Sequence, residues 1–111
     1  DRKITRQQQI GDVTRALKAL SKELDVPVVT ASQLRRPPNP KEKPTMSDLR
    51  ESGDIEADSD VILLLHAEDE TKPWDLVVDV AKNRAGPKGP VRLMFDTTRA
   101  LMNSAEWKQS A

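Results

Sequence analysis

Apolar residues recur at alternating intervals of three and four along the first part of the chain, at Ile10, Val13, Leu17, Leu20 and Leu24. This spacing places them on one face of a helix, and the charged and amide residues between them occupy the opposite face. The residue before a proline avoids the helical region, so the helix ends before Pro27. The pattern therefore predicts an amphipathic helix over residues 5–25.

Short apolar runs predict strands in the rest of the chain, at residues 26–30, 60–65, 75–82, 91–96 and 99–103. The first is expected to be a short buried strand, and the continuous run "DVILLL" is typical of a strand covered on both faces. Between them, "SDLRESGDIEADSD" predicts two short helical turns around Gly53, with Ser47 as the N-cap. The order of elements predicts an α/β fold whose sheet mixes parallel and antiparallel pairs.

Composition narrows the class of protein. A chain of 111 residues suits one domain, and 18 basic residues against 18 acidic ones give a net charge of +0. Nucleic acid could therefore be bound only by a local basic patch. With no cysteine, disulfides and thiolate metal sites are excluded. No apolar run approaches the roughly 20 residues of a membrane span, so we expect a cytoplasmic protein without membrane contact.

Alternating carboxylates raise the question of a metal site, at Asp54, Glu56, Asp58 and Asp60. A calcium loop starting at Asp54 would need glycine at its sixth position and glutamate at its twelfth. Ser59 and Leu65 stand there instead. We therefore expect no metal ligands here and interpret the segment as a solvated helical turn.

The chain carries no complete catalytic motif of its own. His66 is the only histidine and is expected to be structural, and no "GxSxG" nucleophile turn is present. None of the four glycines belongs to a "GxxxxGK[ST]" phosphate loop. These residues alone are therefore not expected to hydrolyse a nucleoside triphosphate.

Two long cations stand in "KNRAGPKG", at the end of one predicted strand and before a glycine-containing turn. Lys82 and Arg84 could be ordinary solvated residues at a hairpin end. They could equally be held rigidly by the strand end and directed at a phosphate. The stretch alone leaves both interpretations open.

Three stretches, taken together and in this order, resemble a known family: "VPVVTASQLRR", "SDLRESGDIEADSDVI" and "VAKNRAGPKGPVRLMF". They look like the C-terminal half of the RecA-like motor domain of bacterial replicative DNA helicases, the DnaB family, and the likeness runs from about residue 6 to residue 103. The resemblance implies a RecA-like P-loop NTPase core over residues 1–111, with a mixed sheet, flanking helices and a C-terminal β-hairpin. The Walker A and Walker B portion of that core is missing from these residues.

The resemblance also implies a function. In that family, subunits form a ring-shaped homohexamer that uses ATP and Mg²⁺ to move along single-stranded DNA and unwind the duplex. Lys82 and Arg84 correspond to the lysine and arginine that one subunit supplies in trans to its neighbour's ATP. Gln33 corresponds to a catalytic sensor of the γ-phosphate, and Arg99 to a further nucleotide contact. The magnesium ligands would lie outside this chain.

By the same resemblance, Arg50, Glu51 and Gly53 correspond to positions that hold the backbone of single-stranded DNA without reading its bases. Primase and a helicase loader are the further partners that the family implies. Two other functions stay open. One is a RecA-fold ATPase of the recombination or clock type, which should lack the "LRESG" DNA loop. The other is a non-catalytic binding module that kept the fold.

Overall fold

The computed structural model describes residues 5–35, 42–49 and 52–104. The predicted first helix is confirmed as α1, Arg6–Leu24. It begins at Thr5, whose side chain accepts a hydrogen bond from the Gln8 N–H at 3.2 Å while the Gln8 side chain accepts from the Thr5 N–H at 3.0 Å. This reciprocal capping box satisfies two backbone donors that the helix itself leaves unpaired. The helix ends at Asp25, which adopts the left-handed conformation.

The segment between α1 and the sheet holds two short helical pieces, but the prediction that Gly53 separates them is wrong, because Gly53 lies inside the second piece. A 3₁₀ turn spans Met46–Asp48, and a second α-helix, α2, spans Ser52–Asp58. The prediction that Ser47 is the N-cap is wrong, because Thr45 occupies that position. The Asp48 carboxylate accepts a hydrogen bond from the Thr45 N–H at 2.7 Å, so the turn is capped two residues earlier than predicted.

Four strands form one sheet in the order β1-β2-β3-β4: Val61–Ala67, Asp75–Asn83, Gly89–Asp96 and Leu101–Ser104. The strands of 75–82 and 91–96 and the closing β-hairpin are thus confirmed. All pairs between these strands are antiparallel, whereas a mixture was expected. Each described strand follows its neighbour through a short connection, and short connections favour antiparallel pairing.

Residues 26–30, predicted as a buried strand, form no strand and are exposed. Val29 is 93% exposed, and no strand of the described sheet lies beside this segment. Further along, the described residues form an isolated antiparallel β-bridge between Leu34 and Leu49. A strand needs a neighbour to pair its backbone groups, so the apolar character of this segment does not suffice here.

One face of strand β1 is buried. Ile62 and Leu64 point to the side covered by Leu49, and the core is completed by partly buried Leu34, Met46, Ile55 and Ala81. Their neighbours along β1 lie on the other face and stay about half exposed, namely Val61, Leu63 and Leu65. The expectation that "DVILLL" is covered on both faces is therefore wrong within the described residues.

Helix α1 packs on α2 through its small and polar side. Gly11 is buried there. The side chain of Asp54 approaches it so closely that a Cβ at this position would stand 2.4 Å from Asp54 Oδ2. The predicted apolar stripe forms, but it faces away from α2, and Val13, Leu20 and Leu24 are exposed. The same helix thus presents two different faces, a polar one to α2 and an apolar one that no described residue covers. In the part of the chain that the structure describes, no helix is both long and apolar enough to cross a membrane.

Candidate functional site

Lys82 and Arg84, the first two cations of "KNRAGPKG", lie together against the C-terminal end of α2. The ammonium group of Lys82, near the end of β2, donates to the Glu56 carbonyl. The guanidinium of Arg84 donates from Nη2 to the Ala57 carbonyl at 3.4 Å. The last carbonyls of a helix have no partner within the helix and carry its negative dipole end. The helix end therefore draws both cations to the same place.

Asp60 holds Arg84 from two directions. Its Oδ1 accepts from Arg84 Nη1 at 2.8 Å, and its backbone carbonyl accepts from the Arg84 N–H at 2.9 Å. The ammonium of Lys18, on α1, donates to both oxygens of the same carboxylate at 2.5 and 2.6 Å. The hydrogen bond from Lys18, against an opposing effect of desolvation and with help from the Arg84 charge, holds the pKa of Asp60 below its ordinary value.

The turn that follows these cations is fixed by its own side chains. Asn83 donates from Nδ2 to the Pro87 carbonyl at 3.1 Å. Gly86 lies under that amide, where a Cβ would come within 2.8 Å of Nδ2. Gly89, at the start of β3, has φ 142°, a conformation that favours glycine. Both glycines of the quoted stretch thus have a structural reason, and the turn holds Arg84 at a defined position.

The acidic segment is helical and its carboxylates stay partly exposed to solvent, but several of them also make specific contacts. The carboxylates of α2 and of the residue before β1 face the cations and hydroxyl of α1. Asp58 accepts from Thr14 Oγ1 at 2.7 Å, and Asp54 lies 3.8 Å from Arg15. The alternation of acids is therefore a helix–helix contact, and the basic residues at positions 15 and 18 were the available signal.

Arg99 does not join the pair. It lies in the turn between β3 and β4, where its Nε is 3.4 Å from Asp96 Oδ2. The turn of Arg84 is at the other end of β3, and an eight-residue strand separates them by about 24 Å at about 3.4 Å per residue. A single nucleotide bound at Lys82 and Arg84 would therefore not contact Arg99 of the same chain.

Gln33 is exposed and stands one residue before Leu34, whose bridge to Leu49 ties this segment to the 3₁₀ turn. The same contact includes a hydrogen bond from the Arg35 N–H to the Asp48 carbonyl at 2.6 Å. Of the three predicted DNA contacts, Gly53 is exposed within the first turn of α2. Arg50 and Glu51 lie outside the described residues.

His66 lies on β1, opposite Val77 of β2. Its Nδ1 is buried and has no hydrogen-bond partner among the described residues.

Comparison with known proteins places these elements in one family. The family model described as the DnaB-like helicase C terminal domain matches residues 1–103. A curated relative, the replicative DNA helicase DnaB of Leifsonia xyli, is 46% identical over 98 residues, covering 82% of this chain and 21% of the relative. The DnaB of Geobacillus stearothermophilus is 41% identical over 100 residues, covering 84% and 22%. The chain thus spans about a fifth of the length of these relatives.

Two solved structures are similar in fold and sequence. The ATPase domain of G40P superposes with a TM-score of 0.82 at 35% identity, covering 96% of this chain and 40% of that one. A DnaB-like replicative helicase, solved for its interactions with primase, superposes with a TM-score of 0.75 at 36% identity, covering 87% and 25%.

Proposed function

Because this chain belongs to the DnaB-like helicase C-terminal domain family, we propose that it is part of an ATP-dependent replicative DNA helicase. In this proposal, residues 1–111 supply the C-terminal portion of a RecA-like motor domain. A longer chain supplies the phosphate loop and the acid that binds Mg²⁺. The partial coverage of the relatives and the uncovered apolar face of α1 both support this division.

Lys82 and Arg84 contact ATP held by the neighbouring subunit. The observation that carries the proposal is that both cations are gathered at one helix end, on a turn fixed by Asn83, while the chain has no phosphate loop. Phosphoryl transfer spreads negative charge over the equatorial oxygens, and an arginine supplied in trans offsets that charge. Arg84 has five N–H donors, and its side chain is 54% exposed, so donors remain for a phosphate.

Gln33 reports the state of the γ-phosphate. Its amide can donate to a phosphate oxygen and accept from water. The bridge between Leu34 and Leu49 supports this role, because it joins the residue after Gln33 to the residue before Arg50. In the assembled ring, Arg99 is at most a more distant phosphate neighbour.

Arg50, Glu51 and Gly53 bind the backbone of single-stranded DNA. An arginine neutralises phosphate charge, and a glycine allows the strand to approach the protein backbone closely. Binding of this kind tolerates any sequence and weakens with salt. We extend the proposal to a ring of six identical subunits in the cytoplasm, with primase and a helicase loader as partners, on the family membership alone.

The test is ATP turnover by the intact protein carrying Arg84→Ala, with and without single-stranded DNA. Loss of a trans arginine is expected to lower turnover by on the order of 10³-fold or more. The matched control is Arg92→Ala, since Arg92 is 50% exposed and also ion-paired, to Glu68 at 2.9 Å, but lies on β3 away from the α2 end. Normal turnover in Arg84→Ala would contradict the assignment.

A further inference from the structure

We propose that Asp60 is a positioning residue for Arg84: its carboxylate orients the guanidinium so that the remaining N–H donors meet the neighbour's γ-phosphate. This inference rests on the proposed trans role of Arg84. It adds a residue that lies 24 positions earlier in the chain than the arginine it serves. Asp60 itself touches no nucleotide in this scheme.

Arg84 is held by hydrogen bonds at both its backbone and its guanidinium group. The Asp60 carbonyl fixes the backbone of Arg84 at 2.9 Å, and the Asp60 carboxylate fixes the far end of the same side chain at 2.8 Å. A single residue thus holds both ends of a long, rotamer-rich side chain. The Ala57 carbonyl adds a weaker contact on the other terminal nitrogen. These contacts restrict the plane of the guanidinium before any phosphate arrives.

Asp60 is itself held in place by Lys18. Lys18 donates to both carboxylate oxygens, so the carboxylate cannot rotate away from Arg84 without losing a second cation. Lys18 is only 25% exposed in its side chain, which limits its own freedom. Lys18 of α1 therefore holds Asp60, and Asp60 holds Arg84. The orientation of the arginine thus depends on how α1 packs on α2.

The charges of Lys18, Arg84 and Asp60 do not cancel. Lys18 and Arg84 share one carboxylate, so the pair of cations keeps a net positive charge after both salt bridges form. An arginine that a single carboxylate neutralised alone would attract a phosphate less strongly. With Lys18 sharing the carboxylate, Asp60 can orient Arg84 while the cluster still attracts an anion.

The predicted effect follows from where the arginine acts. A group that is needed most in the transition state changes kcat more than KM. Misplacing a catalytic group by about 1 Å costs on the order of 10²-fold. We therefore expect Asp60→Ala to lower the kcat of ATP hydrolysis by about tenfold to a hundredfold, with KM for ATP changed by about twofold or less. Asp60→Asn, which keeps one acceptor oxygen, should fall between it and the unaltered protein.

The experiment is a double-mutant cycle on the intact protein with ATP and single-stranded DNA. If Asp60 acts through Arg84, Asp60→Ala should cause no further loss of kcat in an Arg84→Ala background. The matched control is Asp58→Ala. Asp58 also joins α2 to α1, through Thr14 at 2.7 Å, but it makes no contact with Arg84. It should leave kcat near that of the unaltered protein.

The outcomes separate the two proposals. Unchanged turnover in Arg84→Ala alone would overturn the proposed function, and the role of Asp60 with it. A loss in Arg84→Ala with equal losses in Asp60→Ala and Asp58→Ala would overturn only the positioning role, since a general loosening of the helices would explain it. Additive losses in the double variant, or a higher kcat in Asp60→Ala, would also overturn it. If Asp60→Ala does not fold, as judged by circular dichroism, the same cycle is run with Asp60→Asn.

Discussion

Two neighbouring leucines on β1 offer a sharp test of which sheet face is covered. Leu64 is 2% exposed and packs with Ile62 and Leu49, whereas Leu63, one residue earlier, is 51% exposed on the opposite face. Both are leucines in the same strand, so Leu63→Ala is a matched control for Leu64→Ala. Strand propensity changes equally in the two variants, and the difference between them reports burial alone.

The magnitudes follow from those exposures. Truncating a buried leucine to alanine costs about 2–5 kcal/mol, because the transfer free energy is lost and a cavity remains. A half-exposed leucine loses roughly half of the about 1.5–3 kcal/mol that full burial contributes, or about 1 kcal/mol, and leaves no closed cavity. We therefore expect Leu64→Ala to lower the free energy of unfolding by about 3 kcal/mol, and by about 2 kcal/mol more than Leu63→Ala.

The assay is urea unfolding of the 111-residue chain, followed by circular dichroism at constant protein concentration. If Leu64→Ala proves unfolded without urea, Ile62→Val replaces it, with an expected loss of about 1 kcal/mol. Equal losses in Leu63→Ala and Leu64→Ala would refute the reasoning, since they would mean that the Leu63 face is also packed. If the rest of a longer chain covers the Leu63 face in the intact protein, the losses in the two variants should become equal there.

Two further predictions concern charge. Because Lys18 lowers the pKa of Asp60, this carboxylate stabilises the fold at pH values above its ordinary pKa of 3.8, and the stabilisation is lost as the pH falls through the lowered value. Lys18→Met should therefore flatten the fall in melting temperature on acidification below about pH 4, and an unaltered acid limb would argue against the pair. In the intact protein, Arg50→Ala should weaken single-strand binding and make it less dependent on salt, as measured by fluorescence anisotropy. An unchanged affinity across salt concentrations would remove Arg50 from the DNA site.

Local patterns predicted most of the elements correctly. The three–four spacing of α1, the hairpin around "NRAGPKG" and the last short strand all depend on residues close together in sequence. The family resemblance, which rests on three separated stretches, was confirmed by the family model over residues 1–103. Periodicity and turn chemistry are properties of the chain itself, and they survive whatever packs around it.

The errors share a different physical origin. The exposed segment at Val29 and the uncovered face at Leu63 are both apolar, and both were expected to be buried. An apolar pattern says that a surface favours a partner, but it does not say which element supplies that partner. The expected mixture of parallel and antiparallel pairs was also wrong for the described strands, which pair only in the antiparallel sense.

The contact between Lys18, Asp60 and Arg84 was also missed, because it joins positions from three separate elements. No periodicity connects a lysine on α1, an aspartate before β1 and an arginine after β2. A weak signal existed in the excess of acids on α2 facing a basic side of α1. Charge patterns between helices can be read only once their packing is known, and here the missing side chain of Gly11 lets the Asp54 carboxylate approach α1 closely.

The contacts that join Lys18, Asp60 and Arg84 lie apart from the exposed apolar surfaces of α1 and β1. Among the described residues, the anchors of Arg84 are Asp60 and the Ala57 carbonyl of α2, and Lys18 holds Asp60 from the polar side of α1. The exposed apolar residues of α1 lie on the other side of that helix, and those of β1 lie on the other face of that strand. The local geometry of the cations therefore does not depend on what covers the apolar surfaces. Covering those surfaces would stabilise the chain, while the placement of Arg84 against a neighbour's phosphate would depend on how the subunits assemble.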